Sequence, residues 1–298
     1  MNKEAFLQRD RLLQAITTDG HYRIAIIKST NLVRTARENH HLSLLSTVLL
    51  GRTLTGALLL ASGLKGEERI QLRLEGNGPV RVLMTEASSH GEVRGYAANP
   101  DAELDLENNE GLGDGLGPGL LSVSKILYNQ ARPVIGTVEL KRGNVNEDLA
   151  YYLLQSEQVP SAVSLDVSLD ENGEVGDAGG VLVQAMPGAD KEITHRLEEN
   201  IRAMPQIGQQ LKSGYLDEIL QTVSEGVEVK ELERYPVDFF CRCSKNRFKE
   251  SLFLVNPEEL MEMDGEGEEM VCHFCGKRYY FDRDEIMAIA NKAKIRQN

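Results

Sequence analysis

Nothing in this chain constrains its fold as tightly as its cysteines, which occur only as Cys241-Arg242-Cys243 and, after 28 intervening residues, as Cys272-His273-Phe274-Cys275-Gly276. Each close pair delivers two sulfurs to one point. A tetrahedral zinc ion takes four such donors at about 2.3 Å, so one closed site built from Cys241, Cys243, Cys272 and Cys275 is the expectation. Gly276 supports it, because a glycine directly after the last cysteine permits the positive-φ turn by which backbone N–H groups reach a thiolate. Four thiolates fill the shell, which leaves His273 exposed on the knuckle.

Other readings of the same residues compete. Four buried thiols could be inert. A thioredoxin-like C-x-x-C would need a βαβ setting, and it has no use for the C-x-C pair. An all-thiolate zinc site keeps its sulfurs deprotonated, the form that peroxide or hypochlorous acid attacks, and an oxidised sulfur can condense with a neighbour to a disulfide. Loss of the metal would then unfold the module it holds. A purely structural knuckle and an oxidant-sensing switch both satisfy the pattern.

The rest of the chain narrows the setting. At 298 residues, with 41% hydrophobic and 27% charged residues, it is long enough for two or three globular units and too apolar for wholesale disorder. The formal net charge of -13 repels a phosphate backbone, and residues 237–298 carry 10 Lys plus Arg against 12 Asp plus Glu. Nucleic acid is therefore not an expected partner. Met1 to Ala5 open a charged amphipathic stretch without an apolar signal core, which points to the cytoplasm, where clustered cysteines more often hold metal or carry redox chemistry than form permanent disulfides. Leu42 to Leu64 is long enough to span a bilayer, but central Arg52 would cost about 2.5–3.5 kcal/mol there. It reads as a buried core helix instead of a membrane contact. Gly51, Gly56, Ala57 and Ala61 would let neighbours approach its backbone.

Strand periodicity runs through Tyr22–Lys28 and Arg69–Glu75, read as strands with one wet face, and continues through Val80–Met84 and Val93–Ala97 around the turn Ser88-Ser89-His90-Gly91. A second hairpin is expected where Val163 to Asp170 alternate before Asn172-Gly173 and Gly180–Met186 returns. Helices are expected near Asn31–Asn39, Leu42–Leu64 and Asn146–Gln155. The glycine run Gly111 to Gly119 fits neither phosphate-loop order and reads as a loop. His21, His40, His41 and His90 show no catalytic spacing, and the chain is not expected to be an enzyme.

The fold expectation is α+β: an N-terminal antiparallel-sheet domain with packed helices over 1–188, a helical linker over 189–235 and a small C-terminal zinc-binding module over 236–298. Strand signals stop after Pro187-Gly188. Apolar residues then recur every three or four positions in a charged background broken by Pro205, Gly208, Gly214 and Gly226. Helices this short are marginal alone. A metastable segment and a permanently docked one fit equally well.

The cysteine pattern, with Phe239 before it, Ser244-Lys245 after Cys243, and Tyr280-Phe281 after Cys275-Gly276, resembles that of the 33 kDa chaperonin family, the redox-regulated heat-shock holdases of bacteria. Gly51-Arg52-Thr53, Gly76-Asn77-Gly78-Pro79, Gly91 to Tyr96 with Asn99-Pro100, Ser156 to Ser161 and Gln184 to Gly188 resemble family motifs too, so the likeness covers nearly the whole chain. Asn77 departs from the glycine common in relatives, in a loop away from the cysteines.

The resemblance implies a cytoplasmic, ATP-independent holdase, zinc-bound and inactive when reduced. It implies that oxidation forms disulfides Cys241–Cys243 and Cys272–Cys275, releases zinc, unfolds the module and destabilises the adjoining linker. It also implies an active homodimer that binds unfolding or oxidatively damaged client proteins. Ile193, Leu197, Ile201, Leu211, Leu216, Ile219 and Leu220 are the candidate client-binding residues, with plain core packing as their alternative. The rival functions are a thiol-disulfide oxidoreductase and a zinc-ribbon binding module.

Overall fold

A computed structural model describes residues 7–105, 111–262 and 265–297. The amphipathic stretch read at Met1–Ala5 lies outside them. The chain forms two compact units, Met1–Phe240 and Cys241–Asn298.

In the first unit, a five-stranded antiparallel sheet runs in the order β10-β1-β2-β9-β8, with β1 at Arg11–Thr17, β2 at Tyr22–Lys28, β8 at Ser161–Leu169, β9 at Val175–Ala185 and β10 at Val229–Pro236. A six-stranded sheet runs β11-β5-β4-β3-β6-β7. Its strands are β3 at Arg69–Gly76, β4 at Val82–Ser88, β5 at Glu92–Ala97, β6 at Gly119–Ile126, β7 at Val134–Glu139 and β11 at Asp238–Phe239, which pairs parallel to β5. Between the sheets lie helices α1 (Thr30–His40), α2 (Leu44–Ala61) and α3 (Val145–Gln155).

Helix α2 packs against strands of both sheets, and this explains its composition. A helix walled in on every side can be apolar all round. It is the buried core helix expected from Leu42–Leu64, capped by Ser43, whose side chain accepts from Ser46 N. A Cβ on Gly56 would collide with Leu149 of α3, so glycine there sets how closely α2 and α3 approach.

Tyr22–Lys28 departs from its reading as a strand with one wet face. Ala25 and Ile27 enter the core between the sheets, while Tyr22, Ile24 and Ile26 enter a second core on the other face. A central strand buried on both faces reads as a continuous apolar run. Arg69–Gly76 keeps the expected alternation, with Ile70, Leu72 and Leu74 inside. The hairpins across Ser88–Gly91 and Asn172-Gly173 both form.

That second core is closed by three short helices, α4 (Lys191–Ala203), α5 (Ile207–Leu211) and α6 (Leu216–Val223). The segment read as all-helical ends differently, because Val229–Pro236 is a strand on the edge of the five-stranded sheet. Half of its side chains are charged and most are exposed, so an edge strand held by backbone pairing to β1 gives no apolar period to read. Because β10 and β11 hydrogen-bond into the N-terminal sheets, the compact units divide after Phe240.

The second unit holds helices α7 (Lys245–Leu252), α8 (Pro257–Glu262) and α9 (Arg283–Gln297) and a hairpin of β12 (Gly267–Val271) and β13 (Arg278–Asp282). Its core is small: Leu252, Leu260, Phe281, Ile286, Ile289 and Ala290. A unit of this size rarely stabilises itself by burial alone.

Candidate metal centre and the covered sheet face

The four cysteines sit at the ends of regular elements. Cys241 and Cys243 occupy the passage from β11 to α7, which Ser244 caps by accepting from Arg247 N at 3.3 Å. Cys272 and Cys275 occupy the tip of the β12–β13 hairpin. There Cys272 N donates to Lys277 O at 2.9 Å, and Cys275 N and Gly276 N donate to Cys272 O at 3.2 and 2.8 Å. Gly276 has φ +69°, the turn its position led us to expect. His273 is exposed.

These turns bring all four Sγ atoms within 4.8 Å of one another, Cys241 to Cys272 at 3.8 Å and Cys243 to Cys275 at 3.3 Å. Four ligands at about 2.3 Å from a tetrahedral centre stand about 3.8 Å apart, so the residues fit a zinc ion. Cys241, Cys272 and Cys275 are buried and Cys243 is half-buried. Burial pushes the Cys272 and Cys275 thiols up; Cys241 and Cys243 add to this at both, while Cys275 opposes it at Cys272. Four crowded thiols resist ionising together, and a divalent cation is the partner that lets them do so.

One neighbour escaped the sequence reading. The Tyr279 hydroxyl donates to Cys243 O at 3.1 Å and lies 3.2 Å from Cys243 Sγ, while its ring packs on Phe248 at 5.1 Å. The hydrogen bond to Cys243 holds the phenol protonated, with its pKa raised. Its position four residues after Cys275, on the strand leaving the knuckle, was the available signal.

The apolar candidates lie on α4, α5 and α6. Leu197, Leu211, Leu216, Ile219 and Leu220 are buried in the second core, and Ile193 and Ile201 pack against it half-buried. The sheet surface beneath them was not foreseen: Leu13, Ala15, Tyr22, Ile24, Ile26, Val181 and Val183 form an apolar face. Polar contacts pin the cover as well: Arg234 of β10 forks onto Asp217 of α6 at 3.1 and 2.6 Å, and Arg11 donates to Gly214 O. Asp190 caps α4, Tyr22 Oη bonds Thr194 and Asp190 O, Asp166 Oδ2 accepts from Gly208 N at 3.0 Å, and Asn200 donates to Val223 O and Glu225 O.

The fold and the site together define a two-unit α+β protein whose small C-terminal unit is organised around a centre of four cysteines. The family model described as "Hsp33 protein" matches residues 10–282. The chain belongs to the Hsp33 protein family. It is 38% identical to the 33 kDa chaperonin of Desulforamulus reducens over 95% of this chain and 98% of that one. It is 39% identical to the 33 kDa chaperonin of Thermus thermophilus over 95% of this chain and 87% of that one. The crystal structure of the 33 kDa chaperonin from Thermotoga maritima matches with a TM-score of 0.89 at 33% identity, covering 97% of this chain and all of that one.

Proposed function

We propose that the protein is a redox-regulated, ATP-independent holdase chaperone that keeps thermally unfolding and oxidatively damaged proteins from aggregating. The observation that carries this reading is the convergence of four thiol sulfurs within 4.8 Å in a member of this family. In this reading 1–188 is the core domain, 189–235 the metastable linker and 236–298 the redox module.

A zinc ion bound by Cys241, Cys243, Cys272 and Cys275 would hold the sulfurs as thiolates and cross-link the C-terminal unit, contributing about 10–16 kcal/mol of apparent folding free energy. Oxidation joins Cys241 to Cys243 and Cys272 to Cys275. Each new S–S bond passes two electrons to a peroxide, which leaves as water, and the donor set is gone. The unit's small apolar core does not hold alone. The chain runs from α6 through β10 and β11 directly into Cys241, so disorder at that end loosens what anchors the linker.

Helices α4 to α6 then exchange a docked state for an open one, a population shift in which Ile193, Leu197, Ile201, Leu211, Leu216, Ile219 and Leu220 become available to clients. The sheet face of Ile24, Ile26 and Val181 is uncovered with them. The active form is a homodimer working in the cytoplasm, with no part for nucleic acid or membrane and no catalytic turnover.

The deciding experiment combines light scattering from a heat-denaturing client with a colorimetric zinc assay. The reduced protein should carry about one zinc per chain and suppress aggregation poorly. After peroxide at heat-shock temperature it should lose the metal and suppress well. Retained metal with unchanged suppression refutes the switch. Catalytic reduction of insulin disulfides would favour an oxidoreductase instead.

A further inference from the structure

Arg52, half-buried, stands in the middle of the apolar helix α2 with its Nε turned away from solvent. Its Nε is fully buried without a hydrogen bond, and among the described residues no ion pair or hydrogen bond reaches the guanidinium. Burial depresses its pKa, and among the described residues Asp166 is the carboxylate whose charge acts against that. Partial desolvation of a cation favours an anionic partner that restores what water supplied.

The guanidinium lines a cavity of about 730 Å³. The opposite wall is the loop before α3, with Arg142 and Asn144, and the glycine-rich turn at Gly111–Asp114. A Cβ on Gly113 would collide with the Arg142 carbonyl, so glycine keeps this turn close against the loop. The two carboxylates on the wall are already engaged. Glu147 pairs with Arg142 at 3.4 Å and receives Asn144 Nδ2 at 3.5 Å, while Asp114 accepts from Gly111 N at 3.0 Å. Arg52 is left facing open volume of the size that small ligands occupy.

We propose that this cavity binds a small phosphate-bearing anion, with the phosphoryl oxygens on the Arg52 guanidinium and Arg142 and Asn144 closing over it. A guanidinium presents a planar fork that matches two oxygens of a phosphoryl group, and a third oxygen remains for donors on the facing loop. Asp114 and Glu147 at the rim would accept hydroxyls of a sugar phosphate. The site lies wholly within the first unit and is independent of the cysteine chemistry.

The test uses the reduced, zinc-loaded full chain in phosphate-free buffer, titrated with inorganic phosphate, ribose 5-phosphate and ribose by calorimetry and thermal unfolding. Phosphate and ribose 5-phosphate should raise Tm and shift the Arg52 Nε and Gly113 amide resonances, and ribose should do neither. A stronger response to the sugar phosphate identifies a phosphorylated metabolite as the natural occupant, an equal response free phosphate. Arg52→Met should lose at least about tenfold in affinity, since it removes a charge-assisted contact, yet be no less stable than the parent without phosphate. Arg142→Ala, at an exposed rim position, should fold normally and bind several-fold more weakly. An equal response in Arg52→Met, or no response by the parent chain to either phosphate at about 10 mM, overturns the proposal.

Discussion

The two faces of the five-stranded sheet are closed in different ways. One lies against α2, an 18-residue helix packed between two sheets. The other lies under α4, α5 and α6, of 13, 5 and 8 residues, which have their far sides in solvent. Among the residues of α4 only Leu197 is fully buried. Isolated helices shorter than about 12–15 residues are marginal in water, so this cover exists only through its contact with the sheet. Both faces of the sheet carry buried apolar side chains. What differs is the length of the helices that close them, and under the proposed function a lid of low local stability is what a reversible client-binding surface requires.

The largest expected effect tests whether the lid is the part that responds to the metal centre. Stripping metal from the reduced protein, or replacing Cys272 by Ser, should remove about 10 kcal/mol or more of folding free energy from the C-terminal unit. Hydrogen exchange should show β12, β13 and α9 losing protection, α4 to α6 following in part, and α2 unchanged. Exchange of α2 as fast as that of α4 to α6 would abolish the distinction between the faces.

Truncating one leucine-sized side chain on each side sharpens it. Leu54 in α2 and Ile219 in α6 are both fully buried, and Leu54→Ala and Ile219→Ala each should cost about 2–5 kcal/mol at their own site. Leu54→Ala should lower the midpoint of global denaturation. Ile219→Ala should act as a local opening, with faster exchange in α4 to α6, more binding of an apolar dye and α2 still protected. A single shared shift in the global transition for both variants would make the molecule one cooperative unit.

A smaller effect belongs to the α2 side. Asp10, almost fully buried, gives Leu32 N a hydrogen bond acceptor at 2.7 Å, while its Oδ1 has no partner among the described residues. Burial first, opposed by backbone hydrogen bonds and Lys28, raises its pKa to about 6. The folded state therefore holds the proton more tightly than the unfolded chain does. Stability from this group is complete below pH 3.8 and is lost as pH rises through about 6. Denaturation at stepped pH should show a fall of up to about 3 kcal/mol across that window, absent in Asp10→Asn, which keeps the acceptor. An equal slope in the variant would assign the fall to other groups.

How much of this was readable beforehand follows the same division. The cysteine spacing, the knuckle glycine and the apolar α2 each declare themselves, because a ligand set, a positive φ and an uncharged run are local properties of sequence. The doubly buried β2 did not, since the four-residue apolar run Ile24–Ile27 between Arg23 and Lys28 fits one covered face as well as two. Strand β10 stayed hidden for the opposite reason: charged on both sides, it takes its strand state from pairing with β1, a partner more than two hundred residues away in sequence. Tyr279 offered only its position after Cys275, and its contact with Cys243 follows from the turn that the knuckle makes.

The smallest effect isolates the lid itself. Asp190 caps α4 by accepting from Glu192 N at 2.7 Å and Ile193 N at 3.3 Å, and it lies on the surface, so Asp190→Ala creates no cavity. Losing such a cap costs about 1 kcal/mol, too little to move the global denaturation midpoint of a chain this long by more than a few degrees. Yet the whole of it falls on the equilibrium between docked and open α4, where it multiplies the open population about fivefold. Exchange of the α4 amides should accelerate by that factor while those of α2 stay unchanged. Reduced Asp190→Ala protein should also suppress client aggregation measurably better than the reduced parent. Faster α4 exchange without that gain would mean that opening this helix is not the step that admits a client, and attention would move to α6 and the sheet strands beneath it.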